Sequence, residues 1–299
     1  MAESVKAIHT YSDPGLDKQN TFEYELSIRL GVDGFSYAIL DTNTRKFLHL
    51  EAFDLREPGR SIHVPGEDRK TDTLKLRKLL ETELRWLSAP FSQVRLMIGN
   101  GSSTLVPEAL FDKTEKAALF DFNMAGGPFH AENIYFDRLR VSDAVSLYHI
   151  APDEGKLCRD FFPEAVFYHH SSVLIQALLL KYMNQDNDLH LFVNTGSSRL
   201  DIMRMKGKKL DYFNSFTYNT AEDYMYYLIF VVEQLGLNPE NVQLIMTGEV
   251  ERNSRLTDLV RKYVRSISFA ERNSDFRYSF VFDQLPGHYY YNLLNLSLC

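Results

Sequence analysis

Three short turns carry the residues best suited to chemistry: Gly31-Val-Asp-Gly34, Asn194-Thr-Gly-Ser-Ser198 and Met246-Thr-Gly-Glu249. Each sets a polar side chain beside glycine at the end of an apolar run. Glycine lets a ligand approach the backbone N–H groups because no Cβ blocks the way, and a row of such groups can hold phosphate oxygens. An Asp beside the glycine could add a ligand for magnesium. The residues singled out in these turns are Asp33 and Gly34, then Asn194, Thr195, Gly196 and Ser197, then Thr247, Gly248 and Glu249. None of these residues is assigned as a catalytic nucleophile, acid or base.

Other constellations carry less. His169 and His170 are adjacent, so on a strand they point to opposite faces and cannot readily share a metal; one is expected to pack and the other to cap. The loops Gly99-Asn-Gly-Ser-Ser103 and Gly126-Gly127 lack the Lys-Ser/Thr of a phosphate-binding P-loop and read as connections. A two-metal nuclease needs several carboxylates converging at the centre of a sheet, whereas the first strand offers Arg29. Asp41 and Asp201 read as turn or edge residues. The basic groups at Lys206–Lys209 and over Arg252, Arg255, Arg261, Lys262 and Arg265 read as a hairpin tip and a solvated helix face. Aromatic runs at Tyr224–Tyr227 and Tyr289–Tyr291 put rings on several helix faces at once, so some are expected at the surface or at a protein contact.

The elements that position the turns form a pattern used twice. Leu26–Asp41 is strand, turn, strand, and after Thr42–Arg45 the run Lys46–Phe53 is a third strand. Leu189–Met205 repeats the first two, and Lys209–Phe216 follows the Lys206-Gly-Lys208 hairpin. Phe216 lies 163 positions after Phe53. Leu76, Leu79, Leu80, Leu84 and Leu87 recur at helical spacing, Val94–Ile98, Val145–Ile150 and Ala165–His169 read as strands, and Asp153–Phe161 as a helix. Ser171 or Ser172 is expected to cap a helix running to Met183, apolar nearly all round and hence buried between or beneath the lobes. Thr220 and Asp223 form a capping-box pair before a helix that Gly236 and Pro239 end. Strands at Val242–Met246 and Ser266–Ala270, helices at 253–264 and 288–298, complete a second lobe of the order βββαβαβα. The first lobe reads βββαβ with insertions. The fold class is α/β with mixed sheets flanked by helices. A flexible arm is expected over 1–20, a polar loop over Arg56–Thr73, a first lobe over 21–187 and a second over 188–299, the boundary lying in Asn184–Asp188.

Composition bounds the function classes. The chain has 299 residues, 44% hydrophobic and 24% charged, with 40 acidic against 33 basic side chains and a net charge of -7. That balance disfavours general binding to a nucleic-acid backbone. No run approaches the roughly 20 apolar residues of a membrane span, and the N-terminus lacks the pattern of a secretory signal. The expectation is a cytoplasmic protein. Cys158 and Cys299 make no disulfide framework or CxxC spacing.

The duplicated strand-turn-strand layout resembles the actin-like ATPase superfamily of sugar kinases, actin, heat-shock chaperone ATPases and bacterial division and pilus-assembly proteins. The segment Thr104-Leu-Val-Pro-Glu-Ala-Leu-Phe-Asp112 and the aromatic C-terminal run also resemble an uncharacterised bacterial family of unknown function with that fold, over residues 21–299. The resemblance implies two ribonuclease H-like lobes closing over ATP and magnesium. It also implies an Asp-x-Gly turn in each lobe and a late Gly-Gly against the adenosine, which makes Asp33, Gly34, Asn194, Thr195, Gly196, Ser197, Thr247, Gly248 and Glu249 the candidate nucleotide-binding residues. All three places depart from that pattern. Gly31 or Leu30 falls where the first Asp belongs, with Asp33 displaced by two residues and Phe35 in place of a small polar side chain. Asn194 replaces the second Asp, and Glu249 stands where the second late glycine belongs. The expectation is a degenerate nucleotide site in a non-catalytic protein that acts through a protein partner or a ligand. The alternative is a divergent nucleotide-binding ATPase or kinase with a modified magnesium site using Asp33, Asn194, Gly196 and Gly248; a homo-oligomer like the filament relatives is a third reading.

Overall fold

A computed structural model describes residues 5–56, 72–124, 127–185 and 189–299. Most of the expected loop at 56–73, Gly126 of the Gly126-Gly127 pair and residues 186–188 of the expected lobe boundary lie outside them.

The first lobe begins with β1 (Ala7–Ser12), β2 (Tyr24–Gly31), β3 (Gly34–Asp41) and β4 (Lys46–Asp54), followed by α1 (Thr73–Thr82) and β5 (Gln93–Ile98). An insertion follows: β6 (Ser103–Pro107), α2 (Lys116–Asn123), β7 (Ile134–Leu139) and β8 (Ala144–His149). Then α3 (Pro152–Phe161), β9 (Val166–His169) and α4 (His170–Tyr182) complete the stretch. The second lobe contains β10 (His190–Thr195), β11 (Arg199–Lys206), β12 (Lys209–Thr217), α5 (Ala221–Gln234), β13 (Gln243–Gly248), α6 (Arg255–Arg261) and β14 (Ser266–Phe269). The chain ends through β15 (Arg277–Tyr278) and α7 (Tyr291–Asn295).

The duplication is visible in the sheets. In the second lobe the strand order is β12-β11-β10-β13-β14, and in the first β4-β3-β2-β5-β9 takes the same order, with β1 added outside β4. In both, the first three strands are antiparallel and the last two run parallel to the first. The inserted strands make a separate sheet, β6-β8-β7. Neither β6 nor β7 was expected from the sequence; Val106 of β6 and Ile134 and Leu139 of β7 are buried.

Helices cover each sheet on both faces. Leu76, Leu79 and Leu80 of α1 pack with Ile28, Leu30 and Phe35 on the outer side of the first sheet. Tyr224, Leu228, Val231 and Val232 of α5 pack with Leu191, Val193 and Ile202 on the outer side of the second. Between the sheets lies α4, buried nearly all round as its composition predicts: Val173 faces the first-lobe core, while Leu174, Leu178 and Leu179 meet Phe192, Met203 and Ile245 of the second. Its cap differs from expectation. His169, not Ser171 or Ser172, is the N-cap, and its ring nitrogen accepts from the Ser171 backbone N–H. The serines already lie inside the helix, so their hydroxyls cannot reach its first open N–H groups. The Thr220–Asp223 capping box of α5 is present as predicted.

Two segments depart from the expected lobes. Residues 7–12, expected in a loose arm, form β1 because the outer edge of β4 offers them a hydrogen-bonding partner; Tyr11 stacks on Phe282, and His9 Nδ1 lies 2.6 Å from the Tyr290 hydroxyl. Residues 276–299, expected with the second lobe, return to the first. There β15 pairs with Lys46 and Phe47, and Phe276, Phe282, Leu285, Leu293 and Leu296 bury against Ala38, Leu50 and Met97. This covers an inner sheet face that α4 alone leaves open.

The insertion is tied to α4 by a buried carboxyl. Asp137 on β7 is 6% exposed and accepts from the His169 backbone N–H (2.8 Å) and the Tyr148 hydroxyl (3.1 Å). Burial pushes the carboxyl up to about 6 against the pull of those hydrogen bonds. The native state therefore holds this proton more tightly than the unfolded chain does. The associated stability is fully present below the unfolded Asp value and is lost as pH rises through about 6. A two-unit gap corresponds to roughly 3 kcal/mol. Asp137→Asn should flatten this dependence: its urea midpoint is expected to change less than the wild type's across the weakly acidic range, and an unchanged slope would contradict the assignment.

Candidate functional site

The three glycine turns converge. β10 pairs with β13 so that Asn194 lies opposite Thr247 and Thr195 opposite Gly248, and the Glu249 N–H donates to the Thr195 carbonyl at 2.7 Å. Across the lobes, the β2–β3 turn faces the β10–β11 turn, and Ser197 Oγ donates to Asp33 Oδ2 at 3.3 Å. All nine residues singled out by sequence thus lie along one seam between the lobes.

Their polar groups are turned toward the protein itself. Arg29 on β2 places Nη2 2.9 Å from both carboxylate oxygens of Asp33, and Nη1 lies 3.9 Å from Glu249 Oε1. The side chains of Arg29, Asp33 and Glu249 are 23%, 10% and 38% exposed. Burial disfavours the charge on Asp33, but the guanidinium of Arg29 outweighs it and holds the carboxyl below its usual range. Burial likewise opposes the charge on Arg29, and Asp33 and Glu249 more than reverse this. A cation carried by the chain therefore lies between two carboxylates at the seam.

Asn194 uses both ends of its amide. Nδ2 donates to Asp201 Oδ2 at 2.9 Å, and Oδ1 accepts from the Thr247 hydroxyl at 3.0 Å. Thr195 Oγ1 pairs with the buried Tyr224 hydroxyl at 2.9 Å, and the Gly196 carbonyl accepts from Tyr218. Asp201, expected at a turn or edge, is instead 1% exposed in the middle of β11. It also accepts from Arg199 Nε (3.0 Å) and Ser215 Oγ (2.5 Å), with His170 Nε2 at 3.3 Å. Burial works against its charge, yet His170, Arg199 and these hydrogen bonds hold Asp201 far below the carboxylate range. The cluster links the lobes again, since His170 begins α4 and Arg199 Nη1 reaches the Gly99 carbonyl at 3.4 Å.

The other sequence candidates fall into place. Asp41 caps its turn, accepting from the Asn43 and Thr44 N–H groups. Phe35 is buried in the first-lobe core, away from the seam. Gly34 is required by close approach rather than by turn dihedrals: a Cβ there would overlap the Phe53 carbonyl oxygen. His169 and His170 do not point to opposite faces as expected: His169 ends β9 and His170 begins α4, so their rings pack 4.4 Å apart, and among the described residues no group of three His, Cys, Asp or Glu side chains could hold a metal. Sequence reasoning missed Arg29, Arg199, His170 and Asp201 as members of the seam. The available signal was a charged residue at alternate positions inside otherwise apolar strands, Arg29 in β2 and Arg199 with Asp201 in β11.

ATP with magnesium does not fit this set. The first-turn carboxylate is already paired with Arg29, the second-turn residue is a neutral amide with both ends engaged, and the Glu249 carboxyl, which burial pushes above its usual range, lies 3.9 Å from the same guanidinium.

Two lobes of identical strand order, joined by helices between them and meeting at three glycine turns, define the actin-like ATPase fold. A protein from Bacteroides thetaiotaomicron VPI-5482, described as having an actin-like ATPase fold and unknown function, superposes with a TM-score of 0.71 at 25% identity, covering 85% of this chain and 93% of that one. The PilM-PilN type IV pilus biogenesis complex contains a chain that superposes with a TM-score of 0.58 at 14% identity, over 92% of this chain and 97% of that one. The chain belongs to the family described as protein of unknown function (DUF3822), whose model matches residues 13–267. A search of the curated proteins found no match.

The glycines of the two second-lobe turns should respond differently to substitution. Gly248 has φ +91°, and a Cβ there would overlap the Thr195 carbonyl oxygen and lie 2.9 Å from Asn194 Oδ1. Gly248→Ala is expected to cost about 3 kcal/mol. At Gly196 a Cβ would meet nothing closer than the Arg199 carbonyl oxygen at 3.5 Å, an ordinary contact. Gly196→Ala should therefore unfold in urea within about 1 kcal/mol of wild type; equal losses at the two positions would contradict the geometry.

Proposed function

We propose that the protein is a non-catalytic binding module in which side chains of the chain itself occupy the seam where relatives of this fold grip a nucleotide, and that it acts by contacting another protein. One observation carries the reading: Arg29 sits between Asp33 and Glu249, and Ser197 of the opposite lobe closes onto Asp33. The internal cation neutralises carboxylates that could otherwise attract magnesium, and the pair costs no ligand to maintain. The PilM-PilN neighbour, named as a complex, supports a role in assembly with a partner. The Bacteroides neighbour supports a bacterial protein, and a cytoplasmic one is consistent with the sequence reading.

The degenerate site and the absence of turnover are tested together by titration calorimetry of the full chain with ATP and magnesium. The expected result is no saturable heat below millimolar nucleotide and no released phosphate. Micromolar binding with turnover would replace this reading with the divergent ATPase.

A further inference from the structure

The aromatic run at 224–227 is only half absorbed by the fold. Tyr224 is buried, yet Tyr226 is 65% exposed and Phe230, one turn further along α5, is 42% exposed. Phe216 of β12 stacks on Tyr227 at 4.7 Å between centroids, Tyr227 meets Tyr226 edge-on at 5.3 Å, and Tyr226 stacks on Phe230 at 6.3 Å. The four rings form a continuous ladder from the sheet edge to the outer surface of α5.

That sheet edge is open. β12 is the outermost strand of the second sheet, nine residues long, with β11 on one side and no strand on the other among the described residues. Proteins usually shorten, cover or charge such an edge, because its unpaired N–H and C=O groups are a template for another strand, and on β12 the charges, Lys209 and Asp211, are confined to its first three residues. One of these groups is held locally: the Ser215 N–H donates to the neighbouring Asn214 Oδ1 at 2.8 Å, a side-chain contact that an incoming carbonyl can displace. At the start of β12 the hairpin exposes Lys206, Lys208 and Lys209, and no described carboxylate is within ion-pairing distance of them.

We propose that this edge docks an extended segment of another protein. The segment adds to β12 as a further strand, lays alternate apolar side chains on Phe216, Tyr227, Tyr226 and Phe230, and sets an acidic residue against the lysine tip. Charge selects this occupant over a second copy of the chain. Parallel self-pairing sets lysines against lysines. Antiparallel self-pairing sets them against the 217–220 end, where Asp223 is already committed to the Asn219 and Thr220 N–H groups and Glu222 already has the Arg255 guanidinium at 3.9 Å. The surface rests on the reading that the protein acts by contact, and it gives that contact a location and a chemistry.

A phage-displayed library of random nonapeptides panned on the full chain tests it. Enriched peptides should alternate apolar residues and end in Asp or Glu at the lysine side, and binding should protect β12 amides from hydrogen exchange. Tyr226→Glu with Phe230→Glu should weaken a selected peptide at least about tenfold, and Lys206→Glu with Lys208→Glu should weaken it severalfold. Because these side chains are exposed, the melting temperature should hold for both variants. No enrichment, protection outside β12, or undiminished binding to the aromatic variant would overturn the proposal, as would self-association through β12 that the variant abolishes. Peptides that bind elsewhere would remove this surface while leaving the contact reading standing; nucleotide turnover in calorimetry would remove the contact reading itself.

Discussion

The burial of the Asp201 charge constrains most of what surrounds the seam. A carboxylate that is 1% exposed is tolerated only with its oxygens fully engaged, because an unpaired buried charge costs several kcal/mol. Asn194, Arg199, Ser215 and His170 supply that engagement, and each is thereby fixed. Fixing Asn194 orients its carbonyl toward Thr247, which locks β10 against β13. Fixing Arg199 carries its guanidinium to the Gly99 carbonyl of the first lobe, and fixing His170 holds the start of the helix between the lobes.

The consequence for function is a seam satisfied from within. One layer joins the lobes through His170, Arg199 and Asp201; a second joins them through Ser197, Asp33, Arg29 and Glu249. These contacts tie the two lobes together with side chains of the chain itself. Two of the three turn glycines answer to packing, Gly34 passing close to Phe53 and Gly248 close to Thr195, whereas a Cβ at Gly196 would meet only an ordinary contact. The first two are the residue of an architecture that needs tight turns, and they do not require phosphate to explain them.

How much of this was legible in the sequence depends on which physical signal each part leaves. The duplicated strands were readable because strands covered on both faces leave short apolar runs bounded by glycine turns, so β2–β4 and β10–β12 fall close to their expected places. The three turns were readable as glycines ending apolar runs, and their meeting was implied by the resemblance to the actin-like fold. What the sequence hid were features decided by long-range partners. β1 forms only because β4 presents an edge 40 residues away. The C-terminal segment follows the open face of the first sheet rather than chain order. His169 takes the cap from Ser171 because the helix starts two residues earlier than the Ser171 hydroxyl suggested. Arg29 and Asp201 were readable only as charges out of place, since nothing local states that a guanidinium and a carboxylate from different strands will meet.

The central claim is that the lobes are already closed by their own side chains. Small-angle X-ray scattering of the full chain, with and without saturating ATP and magnesium, measures this directly. The account predicts the same radius of gyration in both, and a compaction on adding nucleotide would contradict it.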